Sequence, residues 1–357
     1  MLELREIDQP EAGDDEVLVR VRAASVNPAD WYAMSGSPYV ARPQMGLRTP
    51  KTRLGIDLAG VVEAVGGEVT RLQPGDEVFG ADTGALAEYV AAPEDALVLK
   101  PANMSFEQAA AVPMAGLTAL QRLRDKGRVQ PGQQVLINGA SGGVGTFAVQ
   151  LAKSFGAEVT GVCSTRNVDR VGSIGADRVV DYTQEDFTRT DRRYDLLLDV
   201  AGSRSWAPCR RVLHPRATLD MVGAPKGNRV LGPLSHIGRI RLASLRASQK
   251  VLFFISKRSN EDLLTLRGLL EAGTVTPVVE RIYALSETRT RSATWARVTP
   301  GGSSSSSCSH DQLHGWPPSA AAWARAWATA RALRTGQQAR VSRVMAAKLH
   351  QKGAVSP

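Results

Sequence analysis

The sequence predicts an α/β protein in which a doubly wound parallel sheet is joined to a separate β-rich region. Two observations predict the parallel sheet. Continuous apolar runs that end in glycine recur through the middle of the chain, as in strands covered on both faces. A glycine-rich turn also connects the first of these runs directly to a helical segment. A third observation predicts the β-rich region, because short alternating segments separated by turn residues fill the first third of the chain.

The β-rich region is predicted to be a partly open barrel. Apolar and polar residues alternate in 17–23, which is typical of a half-buried strand. Further short strands are expected at 57–66, 77–80 and 87–91, with a turn at Pro74-Gly75-Asp76.

Helical segments follow the barrel and return near residue 260. Ser105 is the expected N-cap of a helix that starts at Phe106, and a second helix is expected from about 116 to 125. A third helix is expected from 260 to 273, followed by a strand at 281–283.

The glycine-rich turn lies between a predicted strand at 135–138 and a helix that runs to about 153. Glycine admits positive φ and lets a ligand approach main-chain N–H groups. The N-terminus of the helix favours an anion, which suits a pyrophosphate. An ordinary glycine-rich loop is the alternative. The predicted cofactor-binding residues of the turn are Gly139, Ala140, Ser141, Gly142, Gly143, Val144 and Gly145.

The strand predicted at 157–163 completes a βαβ unit, and the residues after it indicate which dinucleotide binds. An NAD site places an acid there for the ribose 2′-hydroxyl. This chain has Ser164, Thr165 and Arg166 instead, and a guanidinium suits a 2′-phosphate. We therefore predict NADP(H), with a merely solvated Arg166 as the alternative.

The later strands of the same sheet add three candidate cofactor contacts. Strands are expected at 178–182, 196–202 and 217–223. Tyr182 could stack on the adenine, although a buried packing role is also open, and two glycines could let the nicotinamide lie against the strand ends. Those two glycines are Gly202 and Gly223.

Composition excludes several other classes of protein. The net charge of +9 lies wholly in 288–357, which carry eight arginines, two lysines and one aspartate, so 1–287 are neutral overall. A nucleic-acid interface on the folded body is therefore not expected. No apolar run reaches the length of a membrane span, and the N-terminus does not look like a signal peptide. Three cysteines at unrelated spacings favour a reducing, cytoplasmic setting.

Several motifs together resemble the medium-chain dehydrogenase/reductase superfamily, in its zinc-independent quinone oxidoreductase-like branch. The match runs from residue 2 to about 287, through Val26–Trp31, Pro74–Gly80, Ala110–Pro113, Gly116–Leu120, Asn138–Gly145 and Gly273–Pro277. The resemblance implies a GroES-like catalytic domain interrupted by a Rossmann domain. The implied boundaries are 1–111 catalytic, 112–255 Rossmann, 256–287 catalytic again, and 288–357 an atypical basic tail.

The resemblance also shows that zinc ligands are missing. In zinc-bearing relatives, a Cys binds the metal in the stretch that corresponds to 26–30. A His-Glu pair lies in the stretch that corresponds to 54–57, and a third ligand lies near 112–114. None of these stretches holds Cys or His here, so no metal is expected. Cys308, His310 and His314 form the only other candidate metal set, and ordinary surface residues are the preferred reading for them.

The resemblance places Asn27 and Asp30 beside the nicotinamide and substrate, with Trp31 and Tyr32 lining the pocket. The Asn27 amide could donate a hydrogen bond to a developing enolate oxygen. Asp30 could orient a ribose hydroxyl or a water, and capping of the following helix is the alternative.

The function predicted from these residues is hydride transfer from NADPH to a quinone, an enone or a related carbonyl compound, with a homodimer as the expected assembly. Such acceptors spread the developing charge themselves, so the protein needs mainly to position them and exclude water. The alternative is a catalytically impaired NADPH-binding protein whose basic tail, with Trp323 and Trp327, contacts an anionic surface or partner.

Both ends depart from the family pattern. One strand expected before Leu2 is missing, and the family's final helix, turn and strand are replaced after Thr288 by an Ala/Arg/Ser/Trp-rich segment. GC-rich codons for 289–306, read two bases later, encode a typical family ending. We therefore hypothesise a shifted reading frame. Loss of the final strand should leave an unpaired edge on the catalytic domain.

Overall fold

A computed structural model describes residues 2–35, 39, 53–225, 231–285, 306–309 and 341–347 of the 357-residue chain. The strands in these ranges form three sheets. The strands are Leu2–Asp8 (β1), Glu16–Val26 (β2), Asp57–Val65 (β3), Glu77–Ala81 (β4), Tyr89–Pro93 (β5), Leu97–Leu99 (β6), Gln134–Asn138 (β7), Glu158–Cys163 (β8), Arg178–Asp181 (β9), Tyr194–Asp199 (β10), Leu213–Met221 (β11), Lys250–Leu252 (β12), Arg281–Ala284 (β13), Ser306–Ser309 (β14) and Val341–Ala347 (β15).

The helices of the described residues lie between these strands. They are Pro28–Ser35 (α1), Phe106–Ala110 (α2), Pro113–Gln121 (α3), Gly143–Ser154 (α4), Val168–Ser173 (α5), Trp206–Arg211 (α6), Leu234–Ser244 (α7) and Asn260–Glu271 (α8). No helix among them has the length and apolar character that a membrane crossing requires.

The β-rich region forms a seven-stranded sheet in the order β13-β14-β2-β3-β4-β6, with β5 also paired to β2. The strand β14 comes from the basic tail and pairs with both β13 and β2. The expectation of an unpaired edge was therefore wrong, because a tail segment supplies the missing backbone hydrogen bonds. A second tail strand, β15, pairs antiparallel with β1 in a separate two-stranded sheet.

The six remaining strands form the predicted parallel sheet, in the order β12-β11-β10-β7-β8-β9. Counted along the chain from β7, this is the order 3-2-1-4-5-6 of a dinucleotide-binding sheet. The strand order reverses between β7 and β10, so the crevice for a ligand opens at their carboxyl ends.

The capping of α2 agrees with the sequence prediction. The Ser105 side chain accepts from the Gln108 N–H at 3.3 Å, and the Gln108 side chain accepts from the Ser105 N–H at 3.0 Å. The helix expected from 116 to 125 differs, because α3 ends at Gln121 and a π-helical turn covers Arg122–Gly127. Gly127 ends this turn where an added Cβ would lie 2.9 Å from the Leu196 side chain.

One apolar core connects the two large sheets. It includes Phe79 of β4, Leu120 of α3, Ile137 of β7 and Phe147 of α4, all almost fully buried. Helix α3 packs against both α4 and α8. Helix α3 therefore packs against both β4 of the barrel and the helix that follows the glycine-rich turn.

Candidate functional site

The glycine-rich turn is held by backbone hydrogen bonds to the neighbouring strand. The N–H groups of Gly139 and Ala140 donate to the Val162 carbonyl at 3.1 and 3.0 Å, and Gly139 has a φ of +92° that favours glycine. The first bond of the following helix runs from the Thr146 N–H to the Gly142 carbonyl at 2.8 Å. The N–H groups before it therefore start the helix without a backbone acceptor, as expected for an anion site. They belong to Gly143, Val144 and Gly145.

Gly145 allows close packing inside the turn. A Cβ at this position would lie 2.1 Å from the Gly139 carbonyl oxygen and 2.8 Å from Ala140 main-chain atoms. The close approach explains why position 145 needs glycine, and the predicted contact of this residue with the cofactor stays a prediction. Gly139, Ser141 and Val144 are half-buried, whereas the other residues of the turn are buried.

Gly202 and Gly223 also serve close packing between loops. A Cβ on Gly202, whose φ is +62°, would lie 2.5 Å from Ala224 Cα, and one on Gly223 would lie 2.0 Å from the Val200 carbonyl oxygen. The loops after β10 and β11 therefore touch each other at the carboxyl edge of the sheet. The predicted role in leaving space for a nicotinamide stays a prediction beside this packing role.

Asp199, which the sequence reasoning did not single out, fixes the loop at the end of β10. Its Oδ1 accepts from Asn138 Nδ2 at 2.7 Å and from the Gly202 N–H at 2.8 Å. Its Oδ2 is buried and accepts no hydrogen bond from the described residues. Complete burial raises the pKa of Asp199 to about 6. The sequence signal for Asp199 was its position as a polar residue at the end of a continuous apolar strand.

The residues after β8 lie at the same edge of the sheet. Thr165 donates to Asp181 Oδ2 at 2.6 Å and lies 2.9 Å from the Thr183 hydroxyl, so its hydroxyl is already engaged. Arg166 is exposed beside it, and the Ser164 hydroxyl accepts from Asn167 at 3.1 Å. The hydrogen bond from the Thr165 side chain, with further bonds from Thr183, lowers the pKa of Asp181, so this carboxylate stays charged at the same edge of the sheet.

Tyr182 lies on the surface of this edge. Its side chain is 52% exposed, and its N–H donates to the Cys163 carbonyl at 3.0 Å. The buried packing role is therefore wrong for Tyr182, because most of the ring is open to a ligand.

The barrel contributes a buried polar cluster around Asn27. Its side-chain Nδ2 donates to Ser25 Oγ at 3.1 Å and to Asp57 Oδ2 at 3.0 Å. Ser25 Oγ donates to the same Asp57 oxygen at 2.8 Å, and the Met114 N–H donates to Asp57 Oδ1 at 3.1 Å. Three separate parts of the chain thus meet at Asp57, which is 0% exposed.

Asp30 caps α1 and fastens the neighbouring loop. Its Oδ2 accepts from the Asn27 N–H at 2.7 Å, and its Oδ1 accepts from the Gly55 N–H at 3.1 Å. The capping alternative is therefore observed, and the role toward a ribose or water stays a prediction. Trp31 and Tyr32 follow on α1 and are half-buried, and burial raises the pKa of Tyr32.

Burial shifts both carboxyl groups of this cluster toward their neutral forms. It raises the pKa of Asp57 to about 7 and that of Asp30 to about 6, although hydrogen bonds to each carboxylate act in the opposite direction. The negative charge of Asp30 further raises the pKa of Asp57.

The cluster joins the three stretches that supply zinc ligands in zinc-bearing relatives, and here they present Asn27, Asp57 and Met114. An amide, one carboxylate and a thioether do not form the donor set that Zn²⁺ requires. Among the residues that the structure describes, no three His, Cys, Asp or Glu side chains come together as a metal site. His310 and His314 lie outside the described residues, as does the Cys308 side chain.

Comparison with known proteins agrees with this geometry. Residues 13–102 match the alcohol dehydrogenase GroES-like domain, and residues 174–291 match the zinc-binding dehydrogenase family. The mitochondrial NAD(P)H oxidoreductase RTN4IP1 of Mus musculus is 33% identical over 306 residues, which span 76% of each chain. The chain belongs to the medium-chain dehydrogenase/reductase superfamily. Within this superfamily of NAD(P)-dependent oxidoreductases it falls in the quinone oxidoreductase-like branch.

Two further relatives support that position. The chloroplastic quinone-oxidoreductase homologue of Spinacia oleracea is 39% identical over 215 residues, covering 57% of this chain and 64% of the relative, which is less than two thirds of its length. The Escherichia coli quinone oxidoreductase, solved in complex with NADPH, superposes with a TM-score of 0.71 at 26% identity. That superposition covers 85% of this chain and 94% of the bacterial one.

Proposed function

We propose that this protein is a zinc-independent, NADPH-dependent reductase of quinones, enones or related carbonyl compounds. The observation that carries the proposal is the start of α4, where three successive N–H groups follow the glycine-rich turn without a backbone acceptor. This arrangement suits the pyrophosphate of a dinucleotide. It lies at the point where the strand order reverses, which is the usual crevice for such a cofactor.

Residues of the parallel sheet and of the barrel would together bind and orient the dinucleotide. The N–H groups of Gly143, Val144 and Gly145 would hold the pyrophosphate, and Tyr182 would cover the adenine. The loops that Asp199 fixes would form the wall beside the nicotinamide, and the cluster around Asn27 would face it from the barrel. When bound, the reduced nicotinamide supplies the hydride, and the acceptor takes one proton from water.

A quinone or enone suits a site without a Lewis acid better than a simple ketone does. Its conjugated system spreads the developing negative charge, so the protein needs to orient the acceptor and exclude water. The names of the quinone oxidoreductase relatives support this substrate class.

The preference for NADPH over NADH rests on Arg166. Its exposed guanidinium lies directly after β8, where an NAD site would have an acid. Asp181 opposes this preference, because it places a carboxylate near the same position through Thr165. NADPH is the preferred cofactor because we expect Arg166 to attract its 2′-phosphate more strongly than Asp181 repels it.

Fluorescence titration with NADPH and NADH, followed by turnover of a simple quinone and of a simple enone, tests the proposal. We expect NADPH to bind more tightly and at least one acceptor to be reduced. Binding without turnover would instead support the impaired NADPH-binding protein, and absence of binding would contradict both.

The proposal includes a homodimer in a reducing, cytoplasmic compartment. Cys163 and Cys209 are buried and unoxidised, which fits such a compartment. Light scattering on the purified chain tests the dimer, and fluorescence microscopy of a tagged chain tests the location.

A further inference from the structure

The side-chain amide of Asn27 has a fixed orientation. A primary amide carries both of its N–H bonds on nitrogen and none on oxygen. Asn27 Nδ2 lies 3.1 Å from Ser25 Oγ and 3.0 Å from Asp57 Oδ2, so these two acceptors take both hydrogens. Its Oδ1 accepts no hydrogen bond from the part of the chain that the structure describes.

The charge of Asp57 decides this orientation. An ionised carboxylate can only accept hydrogen bonds, so the nitrogen of Asn27, and not its oxygen, must face Asp57. The Ser25 hydroxyl donates its hydrogen to Asp57 at 2.8 Å, so its lone pairs can accept a hydrogen bond from Asn27. The Met114 N–H holds the other Asp57 oxygen at 3.1 Å.

We infer that Asp57 is a positioning residue that makes the Asn27 carbonyl oxygen a hydrogen-bond acceptor for the carboxamide N–H group of the nicotinamide. The inference rests on the proposed function and deepens it. It also reverses the sequence prediction, in which the Asn27 amide donated to an enolate oxygen, because no N–H of that amide is left to donate.

The position of the cluster supports this assignment. Met114 lies in the first turn of α3, and α3 packs along α4, which begins at the glycine-rich turn. The carboxylate has no cation among the described groups that act on it, and Asp30 is the titratable neighbour. An ionised carboxylate in such a place lowers stability, and this is common where a site needs the charge.

The experiment compares two ligands in three proteins. The ligands are NADPH and 2′-phospho-ADP-ribose, which is the same molecule without the nicotinamide, and the proteins are wild type, Asn27→Ala and Asp57→Asn. We expect both variants to bind NADPH about three- to ten-fold more weakly, as loss of one hydrogen bond predicts. The affinity for the fragment should not change. Ser25→Ala, which leaves Asp57 in place, should give a smaller loss of NADPH affinity.

Equal losses for both ligands, or no loss of NADPH affinity, would overturn the inference. If the wild type binds the fragment and NADPH but the variants do not separate them, the inference fails and the proposed function survives. If the wild type binds neither ligand, both fail.

The pH dependence gives a second readout, which also applies if Asp57→Asn does not fold. Protonation of Asp57 removes the reason for the amide orientation, so the wild-type preference for NADPH over the fragment should decrease from pH 8 to pH 6. The 2′-phosphate titrates in both ligands and cancels. Asp30 is the other carboxyl that faces Asp57, and its pKa near 6 places its effect at the lower end of this range. In Asn27→Ala the ratio should be flat with pH, and a slope equal to that of the wild type would contradict the inference.

Discussion

At the scale of single residues, the same residue type serves different purposes in this site. Gly139 supplies a positive φ, whereas Gly145, Gly202 and Gly223 allow backbones to approach within distances that no Cβ permits. Spacing along the sequence cannot separate these roles, because both produce the same pattern of glycines. Arg166 is exposed, which fits both the contact with a 2′-phosphate and the merely solvated alternative, so its role stays a prediction.

Substitution of Arg166 by alanine should weaken NADPH binding selectively. A charge-assisted hydrogen bond to a phosphate contributes about 1.5–3 kcal/mol, which corresponds to a loss of roughly ten- to a hundred-fold in affinity. NADH lacks that phosphate, so its affinity should stay the same. Fluorescence titration measures both, and equal losses would contradict the assignment of Arg166 to the 2′-phosphate.

Substitution of Gly145 by alanine should destabilise the protein and abolish cofactor binding, because the new Cβ would lie 2.1 Å from a carbonyl oxygen. Gly268→Ala is the matched control, since Gly268 is exposed on α8 with nothing within 4 Å of an added Cβ. The control should raise the free energy of unfolding by about 0.5–1 kcal/mol. Chemical denaturation measures both, and a stable Gly145→Ala that still binds NADPH would be the contrary result.

At the scale of elements, a buried ion pair ties the π-helical turn to the parallel sheet. The side chains of Arg122 and Asp220 are 3% and 0% exposed and form an ion pair. Arg122 also donates hydrogen bonds to the Met221 carbonyl at 2.8 Å and to the Phe254 carbonyl. Burial lowers the pKa of Arg122 and raises that of Asp220, and the attraction between the two charges acts in the opposite direction on each group. The pair therefore holds three segments together.

Asp220→Asn should lower the free energy of unfolding by about 3–5 kcal/mol, because it leaves the buried Arg122 charge without its counter-charge. The double variant Arg122→Met/Asp220→Leu should be more stable than that single variant, since neither charge remains buried. Urea denaturation of the two variants tests this, and a double variant less stable than Asp220→Asn would show that the backbone bonds of Arg122 matter more than its charge.

At the scale of the whole molecule, buried carboxyl groups decide how stability varies with pH. Asp30, Asp57 and Asp199 all have a pKa raised from 3.8 to about 6 or 7. Between pH 4 and 7 the folded state therefore binds more protons than the unfolded state, so stability falls as pH rises through this range. Carboxyls with a lowered pKa, such as the half-buried Glu94 and the exposed Asp177, act in the opposite direction and reduce stability only in more acidic solution.

The free energy of unfolding should thus be larger at pH 5 than at pH 8. One pKa unit corresponds to about 1.4 kcal/mol, so a difference of at least about 1 kcal/mol is expected. Urea denaturation at the two pH values measures it, and the variant Asp57→Asn should show a smaller difference. Equal stability at both values would mean that these carboxyls titrate normally.

The reading-frame hypothesis for 288–357 predicts that the codons for 289–306 encode a family-like ending in another frame. The match to the dehydrogenase family ends at residue 291, close to the change in composition. Sequencing of the gene decides the matter, and codons without such a run would refute it.

The sequence by itself determined which segments form helices and strands and in which order they follow each other. Apolar runs that end in glycine, a capping box and a strand-turn-helix unit are local features, so they predicted the parallel sheet, the cap at Ser105 and the site at the start of α4. Only the tertiary structure decided which polar atoms remain available. The hydrogen-bonded cluster at Asp57 joins residues that are far apart in the chain, from Ser25 and Asn27 to Met114. No local pattern in the sequence shows that these residues form hydrogen bonds with each other. Availability depends on partners that the fold brings from distant segments, and burial then sets which of them are charged.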